Sequence, residues 1–228
     1  METDRDASPL NPLPGVVWLL AVPVALIEVA FELGSRGLIG GPQAVGWRLA
    51  AVERFSFLDI VFDWMVANGR YPGDQMLRFL TYPFIHGSFT HMVFVIVFIL
   101  ALGKMVGEVF RPWAVLVVFF GAGIAGALAY GLLLDNPVPL LGGYPAVYGL
   151  IGAFTFLLWV NLAAQGANKL RAFSLIGFLL GVQLLFGLLF GGSQEWVADI
   201  AGFGAGFLLS FVVSPGGWAR ALEQIRRR

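Results

Sequence analysis

Six long apolar runs constrain this chain more than any other feature of its sequence. They cover about residues 15–34, 87–107, 113–134, 145–163, 171–191 and 196–214. A helix needs roughly 20 apolar residues to cross a bilayer core about 30 Å thick. Because backbone groups in lipid must be hydrogen-bonded within their own segment, each run is predicted to be helical. The expected fold is an all-α membrane protein with six transmembrane helices.

The composition agrees with a membrane protein and excludes several functional classes. Of the 228 residues, 58% are hydrophobic and 12% are charged, whereas a soluble domain is nearer half apolar and a quarter charged. The formal net charge is zero, so no nucleic-acid partner is expected. The chain has no cysteine and only two histidines, so we expect neither thiol catalysis, nor a disulfide, nor a metal or other cofactor.

The positions of lysine and arginine predict the orientation in the membrane. The short loops 135–143 and 191–195 carry no basic residue, whereas the opposite side of the membrane carries nine of the 14. Short cytoplasmic loops are the ones enriched in basic residues. Both termini are therefore expected in the cytoplasm, in a multi-pass protein of a bacterial inner membrane. The start lacks a signal-peptide pattern, so the first run is expected to stay in the mature protein. The basic residues of the predicted inner side are Arg5, Lys104, Arg111, Lys169, Arg171, Arg220, Arg226, Arg227 and Arg228.

The runs divide the chain into one membrane domain and two tails. Residues 1–14 are predicted to be a cytoplasmic tail, 15–217 the membrane domain, and 218–228 a basic cytoplasmic tail that meets anionic lipid. Residues 35–86 form a long outer loop. Apolar residues alternate there with charges, which predicts short amphipathic helices in the membrane interface; a soluble loop is the alternative. The apolar positions are Leu49, Val52, Phe55, Leu58, Ile60 and Phe62.

Three motifs open the second, fourth and sixth runs. They read "LRFLTYPFIHGSFTHMVF" from Leu77, then "GGYPAVYGLIGA" and "ADIAGFGAGF". With six runs and a long first loop, the chain resembles the rhomboid family of intramembrane serine proteases over about residues 15–217. In that family, "WR" precedes "HxSxxHxxxN", "GxSGxxxG" carries the nucleophile and "AHxxGxxxG" carries the base. The resemblance implies a six-helix rhomboid-like bundle.

The resemblance also implies that the catalytic positions are changed. The nucleophile falls on Tyr144 with Pro145 after it, the base on Asp199, and the oxyanion-holding asparagine on Val95. Serine hydrolysis needs a hydroxyl activated by a neighbouring base and donors aimed at the oxyanion. A phenol is a poor acyl acceptor, a carboxylate is a weak base, and valine has no donor. We therefore expect no active catalytic residue, and the resemblance is to a pseudoprotease.

Other motif positions are retained. His86 and His91 match the two histidines, while Leu77 replaces the tryptophan of the "WR" pair. With Tyr144 and Asp199, the histidines are expected to form the former active site near the outer third of the membrane. There Asp199 is expected to accept a hydrogen bond from Tyr144 or His91, or else to hold its own proton. The group is either a site that binds a client or ligand or a structural plug. The positions expected to be structural are Arg78, Gly142, Gly149, Gly202 and Gly206.

Two further sets of residues leave alternatives open. Ser88 is either a replacement nucleophile or, as is more typical at a helix start, an N-cap. Glu28 and Glu32 lie on one face of the first run, where Arg36 could reach Glu32. Glu28 either belongs to a path for a cation or proton or forms a buried pair with another span.

The sequence supports one leading function and two alternatives. By resemblance to inactive rhomboids, the protein is expected to bind transmembrane client proteins in the lipid bilayer and to influence their folding or degradation. The alternatives are a divergent rhomboid intramembrane serine endopeptidase and a small transporter, which would need half-helices or a charged path. The pattern specifies neither a client nor an oligomeric state.

Overall fold

The computed structural model describes residues 12–190 and 194–216, and this part of the chain is helical apart from its connections. Three 3₁₀ turns, Pro42–Gly46, Tyr82–Phe84 and Lys169–Phe173, lie between the α-helices. Most of the predicted N-terminal tail and all of the basic tail 218–228 lie outside the described residues. The α-helices are α1 (Gly15–Ser35), α2 (Trp47–Phe55), α3 (Asp59–Asn68), α4 (Gly73–Met76), α5 (Arg78–Thr81), α6 (Phe89–Gly107), α7 (Pro112–Leu133), α8 (Tyr144–Ala164), α9 (Ser174–Phe190) and α10 (Trp196–Val213).

Five of these helices, α1, α6, α7, α8 and α10, are long and apolar enough to cross a membrane. They lie at five of the six predicted runs, and their ends differ from the prediction by no more than two residues. The predicted start of the fifth run at residue 171 is wrong. There Asn168 accepts a hydrogen bond from the Leu170 N–H at 3.0 Å and begins a 3₁₀ turn, so α9 starts only at Ser174 and has 17 residues.

Small residues bring α7, α8 and α10 into close backbone contact. A Cβ added at Gly202 would overlap the carbonyl oxygen of Pro145, and one at Gly206 would overlap the carbonyl oxygen of Gly149. A Cβ at Gly126 of α7 would lie 2.6 Å from the Cβ of Pro145. Such close approach is how membrane helices associate without a hydrophobic driving force. These three helices therefore form the tightest part of the bundle, and α8 carries the candidate site into it.

The segment between α1 and α6 is folded onto the bundle. Phe57 and Leu140 exchange two backbone hydrogen bonds of 3.0 and 2.9 Å, which join this segment to the loop before α8. Arg78 donates from Nη1 to the carbonyl oxygen of Ser56 at 2.8 Å. Helices α2 and α3 occupy the region where short amphipathic helices are predicted. Leu49 and Ile60 remain well exposed on them, whereas Phe62 is buried.

Candidate functional site

The turn before α8 is held in place by backbone and histidine contacts. Gly142 has a φ of 90°, a conformation that favours glycine, and a Cβ there would overlap the ring of His91. The Gly142 N–H donates to the carbonyl oxygen of Tyr82 at 3.0 Å. The next N–H, of Gly143, donates to Nε2 of His86 at 3.3 Å. Gly142 therefore has a geometric reason to be glycine, and the turn presents Tyr144 as the first residue of α8.

His86 acts in this turn as a neutral hydrogen-bond acceptor. It is 1% exposed, and burial, helped by the proximity of His91, lowers the pKa of His86 to about 3. The ring is therefore neutral at neutral pH, and acceptance from the Gly143 N–H at Nε2 assigns its one proton to Nδ1. The carbonyl oxygen of His86 also accepts a hydrogen bond from Nη1 of Arg48 at 2.8 Å. His86 therefore connects the segment between α1 and α6 to the start of α8.

Tyr144 and His91 are stacked. Their ring centroids lie 4.7 Å apart at an interplanar angle of 19°, and His86 meets His91 edge-on at 5.0 Å. Val95, one turn further along α6, is fully buried, and its Cγ1 would lie 2.7 Å from a Cβ added at Gly143. The structure thus brings His86, His91, Tyr144 and Val95 together at the N-terminal ends of α6 and α8.

Asp199 has a different partner from the one predicted. The expected hydrogen bond from Tyr144 or His91 to Asp199 does not occur among the described residues; instead Oδ2 of Asp199 accepts from Nε2 of Gln183 on α9 at 2.9 Å. The Tyr144 ring is stacked on the His91 imidazole, and the Gln183 amide of α9 occupies one carboxyl oxygen of Asp199. A signal for Gln183 exists in the sequence, because it is the one polar side chain between Leu175 and Phe190. A polar side chain within a span is expected to have a partner inside the bundle.

Within residues 12–190 and 194–216, the site contains acceptors but no hydroxyl paired with a base. Nε2 of His91 and Oδ1 of Asp199 are buried without a hydrogen-bond partner. The Ser88 hydroxyl caps α6, where it accepts the His91 backbone N–H at 3.2 Å. Nucleophilic catalysis by a hydroxyl requires hydrogen-bond contact between that hydroxyl and a base. No group of three or more potential metal ligands occurs in the described part of the chain.

An ionic cluster next to the site was not predicted. Arg48 on α2 donates to both carboxyl oxygens of Glu28 at 2.9 and 2.7 Å, and to Oε1 of Glu32 at 3.2 Å. Glu28 is 1% exposed, and its hydrogen bonds raise the pKa of Arg48. The partner of Glu28 therefore comes from the segment between two spans and not from another span. The predicted contact of Arg36 with Glu32 is present at 3.4 Å.

The described fold and site are those of a multi-pass integral membrane protein with a polar site at one end of a glycine-packed bundle. A family model for the rhomboid domain matches residues 73–216. The chain therefore belongs to the rhomboid family, which confirms the resemblance carried by the three motifs.

Individual relatives agree with this assignment. The chain is 28% identical over 181 residues to "Putative rhomboid protease YdcA" of Bacillus subtilis (strain 168), covering 75% of this chain and 83% of the relative. It is 27% identical over 141 residues to "RHOMBOID-like protein 4" of Arabidopsis thaliana, covering 62% of this chain. It is 30% identical over 115 residues to "Inactive RHOMBOID-like protein 8" of the same plant, covering 50% of this chain. The matches span 35% and 32% of the two plant proteins.

Proposed function

We propose that this rhomboid-family protein is non-proteolytic and binds transmembrane client proteins, influencing their folding or degradation. The observation that carries the proposal is the pairing at the site. Tyr144 stacks on His91 and Asp199 is bonded to Gln183, so among the described residues of the site no hydroxyl is hydrogen-bonded to a base. One relative of the chain is itself named as inactive, which supports the proposal that this protein is non-proteolytic.

The site suggests where a client would lie. Helix α9 packs on α8 and on the 3₁₀ turn before it, and its Gln183 reaches Asp199. Phe178 and Leu185 of α9 are exposed on the bundle surface. In a bilayer these side chains meet lipid or the side of another transmembrane helix. A client helix lying along α9 would thus contact the helix whose Gln183 is hydrogen-bonded to Asp199 of the former active site.

A cleavage assay tests the proposal that the protein is non-proteolytic. We expect no cleavage of rhomboid model substrates by the purified chain in proteoliposomes. We expect none by Tyr144→Ser either, because Asp199 at the family's base position is bonded to Gln183 and Val95 supplies no oxyanion donor. Labelling with a serine-reactive fluorophosphonate should stay at background. Cleavage by the wild type that disappears in Ser88→Ala would instead establish the endopeptidase, with Ser88 as nucleophile.

The proposal includes a topology of six spans, with α9 as the fifth, and both termini in the cytoplasm. The chain has no cysteine, so single cysteines report sidedness directly. Asp135→Cys lies in the loop between α7 and α8, and Gln165→Cys follows α8; both positions are exposed. An impermeant maleimide should label Asp135→Cys in intact cells and Gln165→Cys only after permeabilisation. The reverse pattern would contradict the orientation derived from the basic residues.

A further inference from the structure

A groove lies between α1 and α6 at the end of the bundle that carries residues 36–88. Its volume is about 330 Å³, and it is lined by Val29, Glu32, Leu33, Arg36 and Phe89. Small-molecule sites occupy about 300–1,000 Å³, so the groove is large enough to hold a ligand group. We call it the α1–α6 groove.

One half of the α1–α6 groove is apolar and exposed. Val29 is 48% exposed and Phe89 is 53% exposed. Further along the same helices, Leu26 of α1 and Val93 of α6 are also exposed. A hydrocarbon chain lying between the two helices would cover these side chains, whereas a water-soluble ligand would leave them uncovered.

The other half of the α1–α6 groove is charged, and its side chains can form further hydrogen bonds with a ligand. The Arg36 side chain is 71% exposed, and its one side-chain contact among the described residues is the 3.4 Å contact with Glu32. A guanidinium has five N–H donors and binds phosphate through two of them at once. Both carboxyl oxygens of Glu32 already accept a hydrogen bond, Oε1 from Arg48 and Oε2 from Arg36. The side chain is 31% exposed, so the remaining lone pairs of these oxygens can accept donors from a ligand.

The charges of the ionic cluster formed by Glu28, Glu32, Arg36 and Arg48 determine which ligand charges the α1–α6 groove favours. Glu28 and Glu32 balance Arg36 and Arg48, and both glutamates contact Arg48. Helix α1 ends at Ser35, and a helix C-terminus carries a partial negative charge that favours a cation nearby. A ligand with one negative and one positive group leaves the cluster neutral. A purely anionic ligand would satisfy Arg36 but would place a second negative charge beside Glu32.

We propose that the α1–α6 groove binds a zwitterionic phospholipid that has a primary amine, that is, a phosphatidylethanolamine. Its phosphate lies on Arg36, its ammonium donates to Glu32, and an acyl chain covers Val29 and Phe89. A choline head group has no N–H to donate to Glu32, and a glycerol head group brings no cation. This site is separate from the former active site and does not depend on the protein being non-proteolytic.

Native mass spectrometry of the full chain in detergent tests the proposal. The protein is titrated with phosphatidylethanolamine, phosphatidylcholine and phosphatidylglycerol of identical acyl chains, and separately with phosphorylethanolamine and inorganic phosphate. We expect phosphatidylethanolamine to bind roughly tenfold more tightly than either other lipid. Arg36→Gln should weaken it by about tenfold, and Glu32→Gln should remove its advantage over phosphatidylglycerol. Arg70→Gln, which removes an exposed positive charge from the same segment away from the groove, should change nothing.

Three results would overturn the proposal. The first is equal affinity of the wild type for the three lipids, and the second is full retention of phosphatidylethanolamine binding by Arg36→Gln. The third is binding of phosphorylethanolamine or phosphate as tight as that of the lipid, because the occupant would then be a soluble anion and the apolar half would be irrelevant. Arg36 is exposed, so its variant is expected to fold.

Discussion

Gly206→Ala is expected to destabilise the bundle by about 1–3 kcal/mol, or to prevent its folding. A Cβ at Gly206 would overlap the carbonyl oxygen of Gly149, and it would also lie close to other backbone atoms of that residue. Backbone in the middle of a helix cannot move aside as a flexible side chain can, so α8 and α10 would have to separate. The measurement is unfolding of the purified protein in mixed micelles, followed by circular dichroism.

Gly204→Ala is the matched control for this change. Gly204 lies on the same helix, and nothing comes within 4 Å of a Cβ added there. Alanine favours a helix by up to about 1 kcal/mol over glycine, so this variant should be neutral or slightly stabilised. Equal destabilisation by both changes would show that α8 and α10 do not pack through Gly206.

Arg48→Ala is expected to cost about 3–5 kcal/mol, because it leaves Glu28 buried without its partner. The guanidinium contacts both oxygens of Glu28 and also holds the carbonyl oxygen of His86 at 2.8 Å. Its loss should therefore loosen the attachment of α2 to α1 and to the turn before α8. The same unfolding measurement applies, and limited proteolysis between α1 and α6 should become faster.

Two control variants distinguish the loss of the buried Arg48–Glu28 pair from a general loss of positive charge. Arg54→Ala removes an exposed arginine whose guanidinium lies 5.5 Å from the Phe55 ring centroid, and it should change stability by no more than about 0.5 kcal/mol. Combining Arg48→Met with Glu28→Leu removes both charges together and should recover most of the loss. If Arg48→Ala proves as mild as Arg54→Ala, the ionic cluster does not hold α2 on the bundle.

The membrane helices could be predicted from the sequence because their apolar runs are long and end at loops of different composition. The start of α9 could not, since Lys169–Phe173 includes apolar residues but folds as a 3₁₀ turn begun by Asn168. The site positions followed from motif order, which placed Tyr144 at the start of α8 and His91 near the start of α6. The hydrogen-bond and stacking partners of the site residues could not be predicted. They depend on how the helices pack, which the spacing of residues in the sequence does not specify.

Asp199 and Glu28 illustrate this limit in physical terms. Each is a buried carboxyl whose need for a partner is evident from its place in an apolar run. The partner itself lies far away in sequence: Gln183 is 16 residues from Asp199, and Arg48 is 20 residues from Glu28. Many side chains could serve at such distances, and only the packing of α9 and α2 on the bundle selects one of them.

Photo-crosslinking in proteoliposomes tests whether the protein binds client helices without cleaving them. A photoreactive diazirine amino acid replaces Leu185, which is exposed on α9, or, as the control, Leu132, which is exposed on α7. A defined set of labelled single-span helices is titrated in, and adducts are weighed by mass spectrometry. We expect saturable adducts of intact helices at position 185 and only diffusional, unsaturated labelling at position 132. Equal labelling at the two positions, or recovery of a cleaved helix, would contradict it.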